Sequence, residues 1–161
     1  MKIARKYLAH LINAAAPDAE AAVYERLGKD LQEFSPELSA EVETNDNILG
    51  ETTVTISGYK KTGSVEPYYA EKGSALFTRL QDIIDNSLVL DELKTDVVEV
   101  KLWEGEENAT SYPAIREEAY IEVTSYGGDT TGYQIPFTLH YTGAKTKGTF
   151  DLKTKTFTET A

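Results

Sequence analysis

The chain has 161 residues, of which 40% are hydrophobic, and carries 27 acidic against 16 basic side chains for a formal net charge of -11. This length predicts a single domain, and the acidic excess argues against binding nucleic acid by phosphate neutralisation, which needs clustered Lys and Arg. The sequence contains no cysteine and two histidines, which excludes disulfides, thiolate metal sites, cysteine nucleophiles and the usual zinc sites.

The N-terminal segment has apolar residues at helical spacing, namely Ile3, Tyr7, Leu8, Leu11 and Ile12. This spacing predicts a short amphipathic helix over residues 3–14. A flexible arm is the alternative, because chain termini are often poorly ordered. Residues 1–20 are therefore predicted to form an N-terminal arm suited to docking on a neighbouring subunit, followed by one domain over residues 21–161.

Short strands are predicted in the next part of the chain, over residues 23–27, 38–43 and 52–59. The second and third show the period-two alternation of half-buried strands. The run Thr44-Asn45-Asp46-Asn47 between them has turn chemistry. In the third strand, Val54 and Ile56 are predicted to point inward and the threonines outward.

One helix is predicted, over residues 74–86. Ser74 is a suitable N-cap, and Asn86 is a suitable C-terminal stop. Between them, apolar residues recur at helical spacing and predict a face that covers a sheet.

The second half of the chain again predicts strands, with a polar acidic loop at residues 104–112. The central feature is a hairpin between residues 116–125 and 133–142, joined by a turn rich in glycine. Pro136 lies inside the second arm and predicts an edge strand or a bulge there, because proline donates no ladder hydrogen bond. The remaining predicted strands cover residues 97–103, 147–152 and 156–158.

No catalytic, cofactor or metal site is predicted. His140 lies on a predicted strand, and the sequence has no GxSxG elbow. The turn around Asp46 fails the spacing of a calcium-binding EF-hand loop. Carboxylates are plentiful, so a small acidic hydrolase stays an alternative by residue type, but alternation already explains their positions as solvated faces.

Two features of the predicted surface are candidates for an interaction with another molecule. Residues 31–59 contain no Lys or Arg, and Glu41 and Glu43 share one face of a predicted strand. Such a run is either a solvated face or a negative surface directed at a polyanion. The chain also has 10 tyrosines, a residue enriched at protein interfaces, although ordinary sheet packing would use them as well.

Several stretches together resemble the major tail tube proteins of long-tailed, siphovirus-type bacteriophages. They are YLAHLIN, YERLGKDLQEFSPEL, ILGET, SVEPYYAEKGSALF, SYGGDTTGYQIPFTLHYTG and TKGTFD, and they span nearly the whole chain in the order expected. The resemblance implies a mainly β (α+β) fold, a β-sandwich or partly closed barrel flanked by one α-helix, in agreement with the elements predicted above.

The function that this resemblance implies is structural. Six copies form a ring, rings stack into the tube of the virion, and the tape-measure protein fills the tube before double-stranded DNA passes through without sequence-specific binding. Other implied partners are the tail initiator or distal tail protein and the tail terminator, with assembly in the bacterial host cytoplasm and no membrane or cofactor. The alternative is a related non-catalytic component: a tail terminator, or a tube subunit of a phage-like bacteriocin or contractile secretion device.

Two sets of residues are predicted to serve this function. Acidic side chains are expected to line the bore and repel DNA, with Glu41, Glu43, Glu99 and Glu122 as candidates. Contacts between subunits are expected from the N-terminal arm and from the loops at residues 44–50 and 67–73, with Tyr7, Leu8, Leu11, Tyr68 and Tyr69 as candidates.

Overall fold

The computed structural model describes residues 1–106 and 109–160, and 48% of the chain is strand. In chain order the strands are β1 (Leu8–Asn13), β2 (Tyr24–Arg26), β3 (Ala40–Asp46), β4 (Thr52–Tyr59), β5 (Thr62–Val65), β6 (Lys94–Lys101), β7 (Ser111–Val123), β8 (Gly127–Asp129), β9 (Gly132–Gln134), β10 (Phe137–Asp151) and β11 (Thr156–Glu159). The described residues contain one α-helix, α1 (Ala75–Asn86), and three short 3₁₀ turns, at Arg5–Tyr7, Leu90–Leu93 and Leu102–Glu104. The predicted mainly β chain with one α-helix is confirmed. Glu107 and Asn108, in the predicted loop at 104–112, lie outside the described residues.

Seven strands form one antiparallel sheet in the order β11-β10-β7-β6-β1-β2, with β5 also paired to β10. The long β7–β10 pair is its centre, and a bulge after Tyr141 shifts the register before pairing resumes at Lys145. This pair contains the predicted hairpin. The predicted C-terminal pair of strands is also confirmed, because β11 pairs with the end of β10.

The sheet is curled into a half-barrel. The ring of Tyr24 on β2 meets the ring of Phe150 on β10 edge-on, with centroids 5.5 Å apart, although three strands lie between β2 and β10. Side chains on this concave face form one hydrophobic cluster, which includes Ala9, Leu11, Val98, Val100 and Ala114. The curl therefore encloses a core whose buried residues all come from the sheet, with Leu102 and Leu152 from adjoining turns packed against it.

The opposite, convex face of the sheet carries a second hydrophobic cluster beneath α1. The helix contributes Leu76, Leu80 and Ile83, and the sheet contributes residues such as Val97 and Ile121. β6 and β7 are covered on both faces, and six of their eight buried residues are apolar, with Thr95 and Glu117 as the exceptions.

The start of α1 is fixed by side chains from two elements. Ser74 caps the helix as predicted, because its Oγ accepts a hydrogen bond from the Phe77 N–H at 3.3 Å. The same hydroxyl donates to a carboxylate oxygen of Glu25 at 2.7 Å, and Glu25 also accepts from the Leu76 N–H. At the other end Ser87, at φ 49°, occupies the left-handed position after the predicted stop at Asn86.

Arg79 is a buried cation on the helix that holds loop carbonyls in place. Its guanidinium donates to the carbonyl oxygens of Asn13, Ala15 and Lys94, and the side chain is 6% exposed. Burial lowers the pKa of Arg79, and the charge of Asp96 opposes this. Arg79 therefore joins α1 to the ends of β1 and β6 through hydrogen bonds to backbone oxygens. The Asn13 oxygen also accepts from the Thr95 hydroxyl at 2.7 Å.

The prediction of a helix or a flexible arm at the N-terminus is wrong for Leu8–Asn13. This segment is β1, paired on one side with β2 and on the other with β6. Ala9 and Leu11 enter the concave core while Ile12 enters the convex core. A strand buried on both faces reads as a nearly continuous apolar run, so its pattern resembles a short helical stripe.

Pro136 interrupts the second arm of the predicted hairpin. The arm divides into β9, which pairs with β8 in a small hairpin, and β10, which begins at Phe137. Pro136, which has no N–H to donate, therefore lies between β9 and β10 and not inside a strand. Its carbonyl accepts a hydrogen bond from the Thr124 N–H at 3.1 Å. The arm is neither an edge strand nor bulged at this residue, because β10 lies between β7 and β5.

Candidate subunit-contact surface

Strands β3 and β4 form a two-stranded ribbon, residues 40–59, that pairs with neither edge of the main sheet. The two predicted strands are confirmed, but the turn predicted at residues 44–47 is misplaced, because Thr44–Asp46 belong to β3 and the turn follows them. All residues of β3 are exposed, and β4 is exposed except for a half-buried Gly58. The ribbon therefore extends from the body of the protein, and no element of the described chain covers it.

The ribbon has one apolar and one polar face. The cross-strand register pairs Val42 with Ile56 and Thr44 with Val54 on one face, and Glu43 with Thr55 and Asn45 with Thr53 on the other. Val42, Val54 and Ile56 are each more than half exposed. The prediction that Val54 and Ile56 point into a core is wrong for the isolated chain, because none of the described elements packs on this face.

The tip of the ribbon, residues 46–51, is held in shape by its own hydrogen bonds. Asn47 Oδ1 accepts from the N–H groups of Leu49 at 2.9 Å and Glu51 at 3.0 Å. Asp46 accepts from the Thr52 hydroxyl at 2.7 Å. The tip presents Ile48 and Leu49 to solvent, and Ile48 is fully exposed.

The four candidate acidic residues occupy three different places. Glu41 and Glu43 lie on the ribbon, where Glu41 pairs with Lys60 at 3.3 Å. Glu99 lies on the convex face beside His10, whereas Glu122 lies on the concave face, because its position on β7 has the parity of Ala114. Glu99 and Glu122 therefore point to opposite sides of one sheet and cannot both face a common bore.

The candidate contact residues are also separated. Tyr7 is exposed and Leu8 is half-buried, whereas Leu11 is 2% exposed inside the concave core and is closed to a neighbouring subunit. Tyr68 and Tyr69 are half-buried within the chain. The Tyr68 ring packs edge-on against Phe137, and burial raises the pKa of its hydroxyl.

A catalytic arrangement has little support from this geometry. Glu122 Oε2 and His140 Nε2 lie 3.0 Å apart, but both side chains are at least half exposed on an open face. Among the described residues, no group of three or more His, Asp or Glu side chains could hold a metal ion. In residues 1–106 and 109–160, no helix has the length and apolarity to cross a membrane.

A basic cluster near the N-terminus was not predicted from the sequence. Arg5, Lys6, Arg26 and Lys29 surround a pocket of about 560 Å³ beside the base of the ribbon. Two of these residues lie in the first six and two lie on or after β2, so only the pairing of β1 with β2 brings them together. No local sequence signal marks the cluster, although residues 2–6 contain three basic side chains.

Comparison with known proteins identifies the fold. No protein-family model and no curated protein matches the sequence. Among solved structures, the tail tube of SPP1 is 18% identical, with a TM-score of 0.64 over 91% of this chain and 78% of that chain. The sheath/tube terminator of an extracellular contractile injection system, PVC, in its extended state is 14% identical, with a TM-score of 0.56 over 91% of this chain and 96% of that chain.

A third structure belongs to the baseplate of the anti-feeding prophage, at 8% identity and a TM-score of 0.51 over 95% of this chain and 98% of that chain. At such low identities the similarity shows the fold alone. The chain thus has the tail-tube fold, and the resemblance noted in the sequence is confirmed at that level.

Proposed function

We propose that this chain is a non-catalytic structural subunit of a phage tail tube, and that it polymerises with copies of itself. The observation that carries this proposal is the uncovered apolar face of the ribbon, on a chain with the tail-tube fold. A two-stranded hairpin alone is marginally stable in water, and exposed apolar patches mark interaction sites. Packing on a neighbouring copy would bury Val42, Val54 and Ile56.

In the assembled tube, six copies form a closed ring and rings stack into the tube of the virion. A contact between two different surfaces of the chain generates such a ring when the rotation closes, and a filament when it does not. The open backbone edges of β2 and β11, at the two ends of the sheet, are natural positions for this pairing. The tape-measure protein, the tail initiator and the terminator would meet the same ring surfaces.

The two faces of the ribbon suggest how the bore obtains its charge. With the apolar face packed on a neighbour, Glu43 on the opposite face points away from that neighbour, and Glu41 lies nearby. We assign these two residues and Glu122 to the wall of the bore, and we leave out Glu99 because it faces the other way. Carboxylates there would repel DNA phosphates over about 8 Å at physiological salt, so the duplex slides rather than binds.

The first experiment is negative-stain electron microscopy of the purified protein at high concentration, with its mass in solution measured alongside. Stacked rings or hollow tubes are expected, if necessary after adding the tail initiator and tape-measure proteins. The variant Val54→Thr with Ile56→Thr keeps β-branched side chains but removes the apolar face, and it should stay monomeric and folded. The control Thr53→Ser with Thr55→Ser changes the polar face and should assemble. A wild type that stays monomeric with both partners present contradicts the proposal.

A tail terminator is the second candidate, because the PVC terminator aligns over 96% of its own length compared with 78% for the SPP1 tail tube. A terminator would form single rings that cap a tube and do not stack. A tube subunit of a phage-like bacteriocin or contractile secretion device would form tubes, and a sheath protein bound around them would identify it. A ring structure with Glu122 on its outer wall would exclude the proposed role of that residue in the bore.

A further inference from the structure

We infer that the tip of the ribbon inserts into the basic pocket of a second copy of this chain. The tip is residues 46–51, and the basic pocket is the cavity surrounded by Arg5, Lys6, Arg26 and Lys29. This inference rests on the proposed self-association and adds the two surfaces that meet. It is drawn from the charge, apolar character and position of each surface.

The basic pocket has an excess of positive charge, since four cations and one carboxylate, Glu33, line it. The Arg5 guanidinium donates to the carbonyl oxygens of Leu8 at 2.6 Å and Phe34 at 3.0 Å, and Arg26 donates to the Lys6 carbonyl at 3.0 Å. These bonds orient the guanidinium groups without cancelling their charge. Within the described residues, Lys29 alone of the four has a carboxylate partner, Glu71 at 2.6 Å. In a chain of net charge -11, this concentration of positive charge at one cavity requires an explanation.

The floor of the pocket is apolar and contains an unsatisfied polar atom. Leu27, Leu31 and Phe34 line it together with His10, whose ring meets Phe34 edge-on at 4.8 Å between centroids. His10 is 3% exposed, and its Nε2 has no hydrogen-bond partner among the described residues. The nearest carboxylate oxygen, Glu99 Oε2, lies at 3.8 Å, beyond hydrogen-bond distance.

The cations around the pocket also act on the pKa of His10. Burial, and after it the charges of Arg5, Lys61 and Arg26, lower this pKa to about 4. The Glu99 carboxylate lies 3.8 Å from the ring, and Glu33 and Glu117 line cavities that His10 also lines. A ligand that brought negative charge to the rim would offset the repulsion from the cations, so the pocket favours an acidic occupant.

The tip of the ribbon has the complementary composition. Ile48 and Leu49 form an exposed apolar pair at its end, and Asp46 and Glu51 flank this pair. Inserting the tip would place apolar side chains on an apolar floor and carboxylates beside a cationic rim. The cavity volume, about 560 Å³, is within the roughly 300–1,000 Å³ of pockets that enclose a ligand. Electrostatic complementarity of this kind selects a partner and its register.

The occupant belongs to another copy, because the tip is distant from the pocket of its own chain. β3 has seven residues, which places the tip about 20 Å beyond the base at roughly 3.4 Å per residue. The pocket lies at that base, since Phe34 and Glu33 line it and precede β3 by a few residues. Two different surfaces on one chain then form a heterologous contact, which repeats from copy to copy.

A charge swap tests this contact directly. Lys6 and Glu51 suit the test because neither side chain forms an ion pair within the described residues. Lys6→Glu alone and Glu51→Lys alone should each raise the critical concentration for assembly roughly tenfold or more. The double variant should restore it to within about threefold of wild type, because the opposite charges face each other again.

Two controls accompany the swap. Lys6→Arg keeps the charge and should assemble as wild type does, and Lys153→Glu reverses an exposed charge on the turn before β11 and should have no effect. Circular dichroism confirms that each monomer is folded. If the wild type assembles and both single variants assemble equally well, or the double variant is no better than the worse single one, the inference is wrong and the proposed function stands. If the wild type never assembles, the proposed function fails and this inference fails with it.

Discussion

The β6–β7 pair and the β3–β4 ribbon are both antiparallel pairs with alternating side chains, yet their environments are opposite. Val98 and Val100 on β6 are completely buried, whereas Val54 and Ile56 on β4 are more than half exposed. β6 lies between two hydrophobic clusters, one inside the curl of the sheet and one beneath α1. The ribbon has an apolar face of the same kind, and no element of the described chain lies against it.

The comparison shows that two properties of a strand are independent: which side chains share a face, and what covers that face. The period of two determines which side chains share a face, but it does not determine what covers that face. In the sheet, the cover comes from α1 and from the curl. In the ribbon, no described element supplies a cover, and this exposed apolar face is the basis of the proposed polymerisation.

The largest expected effect on stability lies in the convex core. Leu80→Ala removes a side chain with no exposed surface and should lower the free energy of unfolding by about 3–4 kcal/mol, because it loses apolar burial and leaves a cavity. Urea denaturation of the monomer measures this loss. A loss below about 1 kcal/mol would mean that the helix packs loosely on the sheet.

The second-largest expected loss of stability comes from Arg79, which links α1 to the ends of β1 and β6. Arg79→Met should cost about 3 kcal/mol, because it removes the charged hydrogen bonds to the carbonyl oxygens of Asn13, Ala15 and Lys94. The Asn13 oxygen keeps the Thr95 hydroxyl as a donor. Arg79→Lys is the matched control and should lose less, since one ammonium reaches some of these oxygens. Equal stability of the methionine variant and the wild type would show that water replaces the guanidinium.

A smaller effect depends on pH and concerns His10. Its pKa is about 4 in the folded chain and 6.5 in the unfolded chain, so the unfolded state binds the proton first as the pH falls. The stability linked to the neutral ring is complete above pH 6.5 and should fall by about 2 kcal/mol between pH 7 and pH 5.

His10→Leu should remove this part of the acid sensitivity, whereas the matched variant His140→Leu should keep it. Urea midpoints at pH 7 and pH 5 give the comparison. Equal pH dependence in wild type and His10→Leu would show that the pKa of the ring is the same in the folded and unfolded chain.

The smallest expected effect on the stability of the monomer comes from the ribbon, and it tests the difference between ribbon and core most directly. Ile56→Ala removes apolar atoms from the ribbon as Leu80→Ala does from the core, yet it should change the unfolding free energy by less than about 0.5 kcal/mol. The same variant should weaken assembly, measured as sedimentation of polymer against protein concentration. A monomer destabilised by more than about 1 kcal/mol would show that the ribbon packs on its own chain in solution.

Local signals in the sequence were enough to predict several elements correctly. Ser74 and the apolar stripe after it define α1, since a cap and a helical face depend on residues within a few positions of each other. The strands of the ribbon and the β7–β10 pair follow from alternation and from the turn residues between them. The absence of cysteine and the scarcity of histidine likewise limit the possible chemistry through composition alone.

Contacts between distant residues decided the rest. The apolar run of β1 predicts a helix or an arm, because its strand partners, β2 and β6, lie elsewhere in the chain and no local pattern indicates them. The basic pocket exists only because β1 and β2 pair, and Glu99 and Glu122 are separated only because the register of β6 against β7 puts them on opposite faces. Residue types and spacing thus determined the elements and the side chains that share a face, whereas the tertiary structure decided which faces are covered, because coverage depends on strand pairings that local spacing does not encode.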